Sequence, residues 1–328
     1  MGRLRWKGKW PVNVLPRDKQ IQVIAALLEG MSIRSVERLI AVHRDTIMRL
    51  STRIGEACGN LHHAMMQNLQ VDVVEVDEQW SYIGKKQKRV KPTDPNELGD
   101  SYVFIALGAT SKAVLSYAIG KRDMSTTIEF VSDLRSRVVN RPQITADGFT
   151  PYPGAIDLVF AGDVDFATIV KTYWSPEGNE AAVRYSPGSI RDIETRVVFG
   201  KPDPKKISTS YVERFNLTTR MQMRRFTRLT NGFSKKAANH RAAISLYLAH
   251  YNLCRVHEAH RVTPAMQLRV TDHVWSIGEL IDAALAAPTA PAPTPTVPRK
   301  PMSAAAAKGN PIGGGRLRKL TVIKGGRK

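Results

Sequence analysis

Three carboxylates in this chain stand among residues that do not ordinarily keep them company. Asp77 lies in VDVVEVDEQWSYIG (71–84), a run of strand composition that also carries Glu75 and Glu78, although Asp is depleted in strands. Asp147 ends PQITADG (142–148), a short predicted strand. Glu213 sits in the first turn of TSYVERFNLTTRMQMRRFTRL (209–229), a predicted helix with five arginines and no other acid. Acids clustered without a counter-ion would repel one another and any anionic partner. A hard divalent cation resolves this, because Mg²⁺ prefers carboxylate and phosphate oxygens. Two such ions roughly 3.5–4 Å apart can activate an attacking oxygen and stabilise a leaving one, which is the chemistry of phosphodiesters. Helical geometry adds to this: Glu213, Arg220 and Arg224 fall within about 20° of one line on a helix of 3.6 residues per turn.

Each acid also has an ordinary reading. An acid in a first turn complements the helix dipole, which would account for Glu213. Asp77 could be a solvated strand-end acid, and Asp147 could form the turn before Gly148. Ligands of open α/β sheets gather at strand ends, so the elements that carry these residues matter.

Lys and Arg outnumber Asp and Glu by 49 to 29 in 328 residues, a formal charge of +20 with pI near 10.1. Residues 286–328 hold nine basic residues and no acid, so +11 remains in residues 1–285. A body this basic points to a polyanion, most simply nucleic acid. Cys58 and Cys254 are far apart and outside any CxxC pattern, so no cysteine zinc site is expected and a reducing cytoplasm is the expected home. HEAH (257–260) has no matching ligand pair elsewhere, so no zinc is expected there either. No apolar run reaches 18 residues and the basic start lacks a signal core, so neither membrane nor secretion is expected.

Residues 1–17, with Trp6 and Trp10, read as a basic arm. Residues 18–68 read as helix, Gly-containing turn, short helix, turn and longer helix, the helix-turn-helix pattern, whose third helix would offer Arg44, Thr46, Arg49 and Arg53 to a DNA groove. Residues 70–285 begin with three strands in an antiparallel meander (71–84, 101–110, 112–120). A helix over 125–140 follows, with Ile128, Val131, Leu134 and Val138 in one stripe. The 142–148 strand, a helix near 152–162 and a strand at 166–174 complete an α/β sheet with an antiparallel edge. The Pro-containing segment 174–207, apart from the strand-like TRVVFG (195–200), reads as an insertion or long loop. Two helices follow, the first capped by Ser208, Thr209 or Ser210. Residues 286–328 read as a flexible basic tail.

DEQWSYIG (77–84), TADGFTPY (145–152) and STSYVERFNLTTRMQMRRFTRLTNGFS (208–234) resemble motifs of bacterial insertion-sequence transposases, specifically the InsA–InsB type. YNLCRVHEAHRVTPAMQ (251–267) is similar to the end of that family's longer members, and the resemblance spans roughly residues 15–285. It implies an RNase H-like mixed sheet with flanking helices, preceded by an all-α helix-turn-helix domain. It implies a Mg²⁺-binding DDE triad, with Mn²⁺ as an alternative, falling on Asp77, Asp147 and Glu213, and a phosphate-contacting basic residue at Arg220. It implies an enzyme that binds element ends, frees 3′-hydroxyls and joins them to target DNA, working as a homo-oligomer because two ends must be paired. Two departures stand out. There is no cysteine before the helix-turn-helix, where many members carry a zinc finger, which leaves end recognition to the helix-turn-helix and the arm. Asp147 and Glu213 lie 66 positions apart, with 174–207 supplying the excess. A non-catalytic DNA-binding regulator, a decayed copy and an RNase H-like nuclease without strand transfer are the competing readings.

Among other residues, Trp80 reads as core, with base stacking as the rival. Phe149 and Tyr152 could pack or touch DNA. KKQKRVK (85–91) reads equally as a solvated hairpin tip or a phosphate contact.

Overall fold

A computed structural model describes residues 14–174, 189–227 and 231–289. The first thirteen residues of the basic arm, segments 175–188 and 228–230, and the tail from residue 290 lie outside the described residues.

The centre is a six-stranded mixed sheet in the order β3-β2-β1-β4-β5-β6. Its first three strands, β1 (Val73–Ile83), β2 (Gly99–Gly108) and β3 (Val114–Gly120), form the expected antiparallel meander. β4 (Gln143–Asp147) pairs parallel to β1, and β5 (Asp165–Trp174) parallel to β4. The parallel pairs need crossovers, supplied by helices α4 (Met124–Arg137) and α5 (Pro151–Phe160).

Strand periodicity sends alternate side chains to two different layers. Along β2, Phe104 and Ala106 face a core shared with Phe130, Leu134 and Tyr152 of α4 and α5. Val103, Ile105 and Leu107 face a second core. That core is closed by Val212 and Phe215 of α6 (Ser210–Gln222) and by Ile244, Leu248 and Tyr251 of α7 (Ala237–Leu253). With both faces covered, β2 reads as an uninterrupted apolar run.

Three helices, α1 (Arg17–Leu28), α2 (Ile33–Ile40) and α3 (Arg44–Met65), occupy the N-terminal part of the described residues. They do not keep a core to themselves. Ile47, Ile54 and Cys58 of α3 belong to one buried cluster with Leu246 and Ala249 of α7 and with the sheet. α3 lies so close to α7 that a Cβ on Gly55 would stand 2.1 Å from the Ala242 carbonyl oxygen. After the short helix α8 (Pro264–Gln267), α9 (Ile277–Ala286) adds Leu280, Ile281 and Ala284 to the same cluster. The Arg17 guanidinium on α1 pairs with Asp282 of α9 at 2.6 Å.

Three expectations change. Segment 174–207 is not simply a loop: residues Ser189–Phe199 form β6, antiparallel to β5 at the sheet edge. The Arg-rich helix does not run to 229 but stops at Gln222, with Met223 as its C-cap. Its end abuts the α1–α2 turn, where Gly30 at φ +77° leaves no room for a side chain beside the Gln222 carbonyl. Trp80 is not core but 40% exposed. Among the described residues no helix is long and apolar enough to cross a membrane.

Candidate active site

The acids meet because of sheet register. β1 and β4 run parallel with Val76 paired to Ala146, so the next residues stand side by side, Asp147 at the carboxyl end of β4 and Asp77 in the middle of the longer β1. Glu78 joins them: one oxygen from each of Asp77, Glu78 and Asp147 lies within 4.8 Å of the others.

Each carboxylate is oriented. Asp77 accepts the Glu78 backbone N–H at 2.8 Å on Oδ1 and the Asn216 side-chain amide at 2.7 Å on Oδ2. Asn216 comes from α6 and is buried, with its own Oδ1 unpartnered. Asp147 Oδ1 accepts the Phe149 N–H at 2.9 Å, so the turn before Gly148 is indeed built on it. Its other oxygen is 3.8 Å from Arg122 Nη2. Arg122 Nε also donates to Glu78 Oε2 at 3.1 Å. The second Glu78 oxygen is buried, and the buried Tyr152 hydroxyl lies against the same carboxyl.

Glu213 sits across the same cleft rather than inside the three-acid set. An open cleft of about 610 Å³ is lined by Asp77, Asp147, Glu213, Asn216, Lys171 and Arg220, with Arg122 and Thr209 among its other walls. Glu213 Oε1 accepts from the Thr209 hydroxyl at 2.7 Å and from the Lys171 ammonium on β5. The helix that presents Glu213 is held by Glu75, whose Oε2 accepts the N–H groups of Tyr211 and Val212 at 2.8 and 2.9 Å. This remote carboxylate shares the capping with Ser208, whose Oγ accepts the Ser210 N–H at 3.0 Å; Thr209 is the N-cap residue, but its side chain makes no cap bond.

Electrostatics follow the geometry. Burial, then the neighbouring Asp147 charge, pushes Asp77 up to about 6, and Glu213 adds in the same direction. Burial and Asp147 likewise push Glu78 up to about 7. Carboxylates this crowded disfavour their own ionisation. An all-oxygen donor set, held by backbone and amide hydrogen bonds, has the chemistry of a hard divalent-cation site.

The structure therefore gathers Asp77, Asp147, Glu213 and Arg220 around one cleft. Arg224 is not among its lining residues: it lies beyond the end of α6, exposed. Arg44, Arg49 and Arg53 are exposed on α3 and Thr46 is half-buried, and none of the four lines the cleft. Sequence reasoning missed Glu78 as a partner, together with Lys171, Asn216 and Arg122. Glu78 was visible as a second acid beside Asp77. The other three are single polar residues that only the tertiary fold selects. His240 is buried away from the cleft, between the hydroxyls of Ser81 at 3.0 Å and Ser234 at 2.8 Å.

No family model matches the chain, and no curated protein does. Similar solved structures include the piggyBac transposase synaptic complex with hairpin DNA, at TM-score 0.40 and 10% identity, covering 82% of this chain and 70% of that one. A pre-cleavage Mos1 transpososome gives TM-score 0.28 and 10% identity over 85% and 80%. The Mos1 strand transfer complex gives 0.21 and 12% over 73% and 79%. With identities and TM-scores this low, the likeness carries no argument about activity, which rests on the site itself.

Proposed function

We propose that this chain is a DNA transposase of the DDE kind, hydrolysing element ends to 3′-hydroxyls and joining them to target DNA. The observation that carries the reading is the convergence of Asp77 and Asp147 from adjacent parallel strands on a cleft that Glu213 enters from α6. The cleft belongs to a chain of charge +20.

In this reading Asp77, Asp147 and Glu213 hold Mg²⁺, with Glu78 as an additional oxygen donor. The bound cation would supply an activated oxygen nucleophile and stabilise charge on the leaving oxygen. The chain's own residues do the rest. Asn216 sets the rotamer of Asp77 through its 2.7 Å hydrogen bond. Lys171, Arg122 and Arg220 place three cations around the cleft, matched to the phosphates of a strand lying across it. The exposed Arg44, Arg49 and Arg53 of α3, with Thr46, form the end-binding surface. A homo-oligomer pairs the two ends.

The test incubates protein, Mg²⁺ and labelled duplex carrying the element's terminal inverted repeats. Joined products are the expected result. Cleavage without joining would assign a nuclease instead, and binding without chemistry a DNA-binding regulator.

A further inference from the structure

Beyond the carboxylates, β1 carries a feature that the chemistry above leaves unused. Glu78, Trp80 and Tyr82 alternate onto one face of the strand. Trp80 is 40% exposed, although large aromatics in strands are ordinarily buried. Its ring lies 5.8 Å from that of Tyr82, and the Tyr82 ring stacks on Phe233 at 4.8 Å with 25° between planes. Across the strand pair, Trp80 stands opposite Tyr102. The Arg122 guanidinium lies 5.9 Å from the Tyr102 ring and 4.0 Å from that of Phe149. Aromatic side chains thus run from the Asp147 turn, past Glu78, to Phe233, with the Arg122 guanidinium between Phe149 and Tyr102.

Cations flank the far end of the strip. Lys86, Lys88 and Arg89 are exposed in the connection after Tyr82, and Lys235 and Lys236 are exposed just after Phe233. Of the acids beside it, Glu78 pairs with Arg122 and Asp94 with Lys85, while Asp100 stands opposite Tyr82 on β2. An exposed π-surface between phosphate-attracting cations matches a ligand with flat apolar faces on an anionic backbone. Trp80 lies three residues beyond Asp77, about 10 Å along β1, on the face of the strand that carries Glu78 rather than Asp77.

We propose that Trp80, backed by Tyr82 and Phe233, is a stacking platform for an unpaired base of the DNA strand whose backbone enters the carboxylate cleft. This rests on the DNA reading above. Stacking needs an aromatic face, not merely apolar volume, and it selects unpaired over duplex DNA because paired bases keep their faces covered.

The test uses the full chain without divalent cation, so that no chemistry occurs. The probes are a 2-aminopurine-containing thymidine oligonucleotide and a fully paired duplex of equal length, at one salt concentration. Trp80→Leu should bind the single strand roughly 5- to 150-fold more weakly and lose the 2-aminopurine quenching. Its duplex affinity should stay within about twofold of wild type. Trp80→Phe should retain most of the binding, and melting curves confirm that both variants fold. Trp80→Leu binding the single strand as wild type, or behaving like Trp80→Phe, would overturn the proposal; the latter would mark an apolar protein contact. Because no metal is present, a failed cleavage assay leaves this result standing, and loss of the platform leaves the cleavage result standing.

Discussion

Glu75 Oε2 accepts the Val212 backbone N–H at 2.9 Å, and the Tyr211 N–H beside it. Through these bonds the strand that carries Asp77 grips the first turn of the helix that carries Glu213. Helix N-termini leave N–H groups without partners, and here the missing acceptor is a fully buried carboxylate 137 positions earlier in the chain. Burial pushes the Glu75 pKa up, while the two N–H groups pull it back. Glu75→Gln keeps a carbonyl oxygen for both bonds and should stay within about 1 kcal/mol of wild type. Glu75→Leu orphans both donors and should cost about 2–4 kcal/mol, read from urea denaturation. It should also weaken divalent-cation binding, since Glu213 is no longer held in place.

Lys171 neutralises Glu213 where a second charge is wanted. The pair is half-exposed on the Glu213 side, so its own contribution to stability is small. Its effect on a competing cation is larger, because the ammonium occupies the Glu213 oxygen. Lys171→Met should tighten Mn²⁺ binding several-fold in calorimetry and weaken DNA binding through loss of a phosphate contact. Unchanged Mn²⁺ affinity would show that Glu213 is not a ligand.

The crowded acids set a pH dependence. Asp77 at about 6 and Glu78 at about 7 lie above the 3.8 and 4.5 of free carboxyls. Between about pH 4 and 7 the folded chain therefore binds more protons than the unfolded one. The stability these groups contribute falls as pH rises through that window. His62 and His240, pushed down to about 3 mainly by burial, act in the opposite sense below about 6.5. Their effect is common to wild type and variant and cancels in a comparison. In EDTA, Asp77→Asn should melt above wild type at pH 8, with the gain shrinking steadily as pH is lowered from 7 toward 4. Mg²⁺ at pH 8 should raise the wild-type Tm and leave that of the variant nearly unchanged.

The succession of the first five strands, and Asp77 and Asp147 as acids out of place in them, were legible because strand periodicity and an acid inside an apolar run are local signals. Glu213 needed tertiary information, since its first-turn position alone equally suits a helix dipole. The stop at Gln222 was hidden: MQMRRFTRL has no Gly or Pro, and the helix ends because Met223 and Phe226 turn into the second core beside the Gly30 turn. Of β6 only the end, TRVVF, reads as strand; the charges in SIRDIE, which an edge strand tolerates, masked the rest. The site partners Lys171, Asn216 and Arg122 come from three separate elements and leave no pattern in the chain.

The packing of α3 on α7 gives a test of how the N-terminal helices are anchored. Gly55→Ala sets a methyl against the Ala242 backbone carbonyl, which cannot rotate aside. Prising apart two packed helices costs typically about 1–3 kcal/mol. Chemical denaturation should show that loss in one transition involving the whole chain, because the α3 residues share their core with the sheet. A separate early transition confined to the N-terminal helices would contradict the shared core.

The central claim is that the carboxylates of the cleft hold the cation for phosphodiester chemistry on DNA. Glu213→Gln tests it most directly, because it removes one charge while preserving shape. Cleavage and joining of labelled element ends in Mg²⁺ should fall at least about 1,000-fold, a loss on the order of 4 kcal/mol in transition-state stabilisation. Affinity for the same DNA should be unchanged or tighter. A Glu213→Gln protein that still joined ends at the wild-type rate would contradict the account.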